Sequence, residues 1–156
     1  MVIITTLVLI GTIPSVYSVD VESTVSILQL TCGLEVTSGS PINYGEVTEG
    51  ETSERQTLGL ENTGNTIGTI SGRGTHWTDD SDVKIMEVSA SHFHTLTGVS
   101  YEDMPAIQEE DVEVTSLGTG SQSTLDLFWQ LRADLVAGQE TFGGTAKQTI
   151  TLASTC

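Results

Sequence analysis

The chain has 156 residues, with 21 Asp and Glu against 5 Lys and Arg, so its formal net charge is −16. A surface of that sign repels nucleic-acid phosphates and anionic lipid headgroups, which excludes both as partners. Only 5% of residues are aromatic, while Thr, Ser, Gly and Val are abundant, a composition of strands joined by turns.

Residues Met1–Ser18 carry an apolar run broken by Pro14 and followed by Val16-Tyr-Ser18. The run is about ten residues long, the length of a signal-peptide core and too short to span a bilayer. The segment therefore reads as a leader cut near Val19, with no stable membrane insertion afterwards. It has no charged n-region, as expected of a sequence that starts inside the leader. The alternative is a buried first strand. Residues 19–156 then form one β-sandwich domain, a size ample for a core of its own. Val19, Val21, Val25 and Ile27 alternate with polar residues, broken at Ser23, so 19–27 reads as an extended strand. Freed by cleavage, it could add to the open sheet edge of a neighbour. It could equally pair within its own domain.

Further strands follow in order. Ser26–Cys32 reads as one. Gln56–Leu60 precedes the turn Glu61–Asn65, and Thr66–Ile70 follows it. Asn62, Gly64 and Asn65 tolerate positive φ and so suit a tight turn, with Trp77 as a core residue beneath it. Val83–Val88, His92–Leu96 and Val112–Ser116 come next, and the acidic stretch 102–111, with Pro105 inside it, is a loop or at most one helical turn. The clearest pattern lies in 123–135. There Leu125, Leu127, Trp129, Leu131, Ala133 and Leu135 alternate with Asp126, Phe128, Gln130, Arg132 and Asp134. That is a long strand with one buried face. The glycine-rich stretch 136–144 joins it to a last strand, 145–156, as a hairpin. Short strands at this spacing predict an all-β fold, an antiparallel β-sandwich of jelly-roll or Ig-like type.

Cys32 and Cys156 are the only cysteines, each at the end of a predicted strand near one end of the domain. A disulfide between them is expected in an exported chain, and it closes nearly the whole domain into one loop. In the chain-entropy account a loop that long contributes about 4–5 kcal/mol. The alternative is two unpaired buried thiols.

Two side-chain groups could bind ions. Asp79, Asp80 and Asp82 crowd together after Trp77 and could converge on calcium, although the EF-hand spacing is absent. A solvated turn is the competing account, and the same choice applies to Glu109, Glu110, Asp111 and Glu113. His92 and His94 share one face of a strand and could ligate a transition metal, with no third ligand nearby in sequence. No cofactor other than calcium is suggested. No G-x-S-x-G occurs, and neither cysteine is free if the disulfide forms. A glycosidase carboxylate pair is the enzymatic alternative, since such pairs are set by fold rather than spacing, but the chain is short and aromatic-poor for a sugar cleft, so no enzyme activity is expected.

Leu58-Gly-Leu-Glu-Asn-Thr-Gly-Asn65, followed by Ile70-Ser-Gly-Arg-Gly-Thr-His-Trp77-Thr-Asp-Asp80, resembles the NTGN…W-x-D stretch of archaeal secreted β-sandwich proteins. The closing pattern, Leu131–Leu135, a glycine turn, then Thr145–Leu152, is similar too. Those proteins resemble biofilm-matrix fibre proteins of the TasA and camelysin type and archaeal bundling pilins. The resemblance covers roughly residues 58–155. The chain departs from it at Arg73-Gly-Thr75, where residues are inserted before Trp77, and in its cysteine pair. The resemblance implies an extracellular, cell-surface location, an incomplete sandwich, and self-association into filaments through the N-terminal strand of a neighbour. The competing function is a soluble calcium-dependent binding or adhesion module using the acidic loops.

Overall fold

A computed structural model of the chain describes residues 29–139 and 142–156. The leader and the strand expected at 19–27 lie outside the described residues. The described residues contain nine strands in order: β1 (Glu35–Ser38), β2 (Gln56–Glu61), β3 (Gly68–Gly74), β4 (Trp77–Thr78), β5 (Lys84–Met86), β6 (Ser91–His94), β7 (Val112–Leu117), β8 (Thr124–Leu131) and β9 (Ile150–Thr155). One antiparallel sheet has the order β1-β2-β8-β6, a second has β7-β3-β9, and β4 pairs with β5 alone. The fold is an all-β sandwich. Leu58, Leu60, Phe93, Leu127 and Trp129 from the first sheet and Ile70 and Leu117 from the second form one buried cluster between them.

β8 supplies the alternation read from the sequence. Leu127, Trp129, Leu131 and Ala133 are buried and Leu125 is half-buried, while Asp126 is exposed and Arg132 lies outside the core. The period of two holds because β8 is central in its sheet, with one face on the core. β3 is the central strand opposite. Its inward positions are Gly68, Ile70, Gly72 and Gly74, an unusual concentration of glycine. A Cβ on Gly72 would sit 3.0 Å from Leu152 Cδ2 and 3.4 Å from Ile107 Cδ1. The missing side chain is therefore the space those two residues fill.

Three expectations are corrected. Residues 123–135 and 145–156 do not form a hairpin: β8 pairs with β2 and β6, whereas β9 pairs with β3 in the other sheet. The chain crosses between sheets there, because Ile150 and Leu152 pack on the common core from its far side. Of the strand expected at 26–32, residues 29–32 are described and are not in a strand; β1 is the first strand among the described residues, and Cys32 precedes it. Trp77 does not lie beneath the 61–65 turn. It is buried in a second cluster with Ile85, Met86, Leu131 and Ala133, and its indole N–H donates to Ser91 Oγ at 3.1 Å. The acidic stretch is one 3₁₀ turn, Tyr101–Asp103, followed by loop, as expected. It also contributes buried Met104 and Ile107 to the interior.

Cys32 and Cys156 are disulfide-bonded, with a Cα–Cα separation of 5.8 Å. Replacing both with Ser is expected to lower stability by about 4–5 kcal/mol, read from urea melts. Trp129 is fully buried, yet its indole N–H has no hydrogen-bond partner among the described residues. Trp129→Ala should cost about 3–5 kcal/mol. Trp129→Phe removes an unsatisfied donor along with a modest volume, so it should cost about 1 kcal/mol or less. Equal losses for the two variants would show that the N–H is satisfied.

Candidate assembly surface

Each sheet has one edge bordering a common groove. Among the described residues β1 pairs only with β2, and β9 pairs only with β3. All four residues of β1 are exposed, Val36 at 43%. Between the two edges lies a groove of about 420 Å³ lined by Leu34, Val36, Leu58, Trp77, Ile150 and Leu152. Pro41, Ile42 and Tyr44 carry it into a second hollow of about 860 Å³, whose walls include Met86, Leu131, Leu135 and Phe142. A furrow of mixed character thus runs along this side of the sandwich: the groove beside β9 also carries Ser40, Gln148 and Thr149, and the second hollow carries Asn43, Glu46 and Glu49.

The edges differ in protection. The β6 edge is covered: Phe93 N–H donates to Pro105 O at 3.0 Å, and Ile107 N–H donates to Ser91 O at 2.9 Å. The β7 edge carries Glu113. By contrast β9, Ile150-Thr-Leu-Ala-Ser-Thr155, has no charged residue and no proline in a chain of net charge −16. Charges and prolines are the usual devices that keep an exposed edge from pairing with another chain.

The carboxylates singled out after Trp77 are engaged separately. Asp79 Oδ1 accepts the N–H groups of Ser81 and Val83 at 2.8 and 2.9 Å, closing its own turn. Asp82 completes that turn at φ 61°. Asp80 pairs with Lys147, which it holds above the usual lysine pKa. Among the described residues, no three Asp, Glu, His or Cys side chains are grouped to hold a metal ion. His92 and His94 do share the partly exposed face of β6. Each has a local partner: His92 Nδ1 lies 2.9 Å from Tyr101 O, and His94 Nδ1 accepts the Leu96 N–H at 2.8 Å. In the second acidic cluster, Glu109 lies 3.5 Å from His76 Nε2.

The turn at 61–65 works differently from expectation. Asn62, Gly64 and Asn65 all have negative φ. The two asparagine side chains make the connections instead. Asn62 Nδ2 donates to Thr66 O, Leu117 O and Gly118 O, at 2.8, 3.0 and 2.9 Å, while its Oδ1 accepts the Gly64 N–H. It thereby ties the sheet-to-sheet crossing after β2 to the end of β7. Other contacts had no sequence signal. Ser91, wholly buried, accepts from Trp77 and donates to Gln148, and Arg132 bridges Glu102 and Asp134.

No protein-family model matches this chain, and no curated protein matches it.

Two tyrosines flank the second cluster. Burial pushes the Tyr44 hydroxyl well above the ordinary tyrosine range. Burial, with Asp134 nearby, pushes Tyr101 up to about 12. A tyrosine whose folded pKa exceeds its unfolded one favours the folded state while it stays neutral. That contribution is complete below about pH 10 and is lost as pH rises towards the folded value. Urea midpoints should therefore fall between pH 9.5 and 12 as a rough window, with absorbance at 295 nm reporting late phenol ionisation. Tyr101→Phe should flatten that decline.

Proposed function

We propose that this chain is a secreted, non-enzymatic subunit of an extracellular fibre or matrix at the cell surface, assembled by strand addition. The observation that carries the reading is the uncharged β9 edge, unpaired among the described residues, beside a partly apolar groove in an otherwise strongly acidic molecule. Long-range repulsion between such acidic bodies opposes random association. An uncharged edge confines pairing to one place. The occupant proposed for it is the segment Val19–Ile27 of a neighbouring copy, whose alternating valines suit a furrow lined by Val36, Ile150 and Leu152. The disulfide is compatible with an extracellular location, and among the described residues no helix is long and apolar enough to cross a membrane. Both fit the export reading of residues 1–18.

Size-exclusion chromatography and negative-stain microscopy of the disulfide-bonded protein test the reading. Wild type is expected to form filaments without added calcium. Val21→Asp with Val25→Asp should leave a folded monomer, and so should Thr151→Lys with Ala153→Lys, which charges the β9 edge. Filaments from both variants would overturn strand addition. A wild type that remains monomeric in every salt and binds calcium tightly would favour the soluble binding module.

A further inference from the structure

The chain enters the domain through a tie that the fibre reading does not require. Residues 29–33 lie against the turn 62–65. Asn65 Nδ2 donates to Gln29 O at 2.8 Å, Asn65 Oδ1 accepts the Thr31 N–H at 2.8 Å, and the Asn65 N–H donates to Thr31 O at 3.1 Å. The first two bonds reach the carbonyl and amide on either side of Leu30, the pattern that one residue of a parallel ladder makes with its partner strand. The Asn65 side-chain amide stands in for a peptide group. It holds 29–31 as a strand held by an adjoining strand would be.

Two glycines allow the approach. A Cβ on Gly64 would lie 2.3 Å from Thr31 O and 2.9 Å from Gly33 N. A Cβ on Gly33 would lie 2.3 Å from Thr63 Oγ1. Neither glycine has positive φ, so close passage of backbone past backbone is what they provide. Between them, Cys32 is bonded to Cys156 at the end of β9. The place of this tie in the fold follows from register. Glu35 is opposite Glu61 and Val36 opposite Leu60, so the chain before β1 passes the end of the sandwich where the turn 62–65 sits.

We propose that Asn65, the Gly33–Gly64 crossing and the Cys32–Cys156 bond form a clamp that fixes where and in which direction the chain enters the domain at Gln29. The clamp thereby sets subunit-to-subunit geometry. The clamp itself stands on the contacts above; its consequence for assembly rests on the fibre reading. A strand donated to a neighbour gives a regular repeat only if its root is held rigidly relative to the donor's own sheets. A root attached through a free linker would give the same affinity with variable spacing. Asn65 is exposed and contributes nothing to the core, so its replacement tests the clamp without unfolding the domain.

The experiment uses the full chain, expressed into an oxidising compartment, as wild type, Asn65→Ala and Gly64→Ala. Residue-resolved hydrogen–deuterium exchange is measured on dispersed protein, and filament repeat is measured by electron microscopy. In wild type the Thr31 amide should exchange at least roughly ten-fold more slowly than an open chain. Both variants should lose that protection while the amides of β8 keep theirs and the disulfide stays intact by mass. Their filaments should lose a uniform repeat. A Thr31 amide that exchanges freely in wild type overturns the clamp. Lost protection in Asn65→Ala with an unchanged repeat overturns its positioning role and leaves the fibre reading standing. A wild type that protects Thr31 yet forms no filaments overturns the fibre reading and the assembly role together, and establishes the tie alone.

Discussion

The bond between Cys32 and Cys156 ties the start of the described chain to its last residue, across a separation of 124 residues. β9 depends on it. Among the described residues that strand pairs on one side only, and its apolar residues Ile150 and Leu152 are half-buried rather than sealed in the core. A half-buried strand at a sheet edge is prone to open locally. Its far end is held by the disulfide, and its ladder to β3 runs from Gly74 opposite Ile150 to Thr69 opposite Thr155. With β9 in place, the furrow between β1 and β9 has a wall. Without it, Leu34, Val36 and Leu58 would face solvent on that side.

Charge distribution then decides what such an edge does. The basic side chains are few, and several are engaged in local pairs: Lys84 with Glu87, Lys147 with Asp80, Arg132 with Glu102 and Asp134. Exposed pairs of this kind stabilise little. They do leave the acidic excess spread over loops and outer faces. The β6 edge is capped by the stretch 104–107, and β7 bears a carboxylate. β9, by contrast, has no charged residue, and the proposed strand addition rests on that difference.

Much of the fold was legible in the sequence where the signal was local. The alternation from Leu125 to Ala133 needs only a strand with one buried face, and burial of Leu127, Trp129 and Leu131 follows it. The cysteine pairing was legible because two thiols allow a single intramolecular bond. What failed was pairing between strands. A glycine-rich link such as 136–144 looks the same whether it turns within a sheet or crosses to the other one, and only the packing of Ile150 and Leu152 on the far side of the core decides. The 61–65 turn was recognised, but by the wrong physics. Asn62 acts through a side chain that reaches Leu117 and Gly118, and nothing local brings those residues near. Likewise Asp79, Asp80 and Asp82 read as one cluster along the chain, while Asp79 turns onto its own backbone and Asp80 reaches Lys147.

The most direct test of the account compares backbone exchange before and after assembly. In dispersed protein, the amides of β9 that point away from β3 meet no strand among the described residues and should exchange quickly. In assembled material the same amides should slow by roughly ten-fold or more, as a new ladder forms along that edge, while amides of the covered β6 edge stay as they were. Assembled material in which β9 exchanges as it does in dispersed protein, with new protection on another edge, would contradict the account.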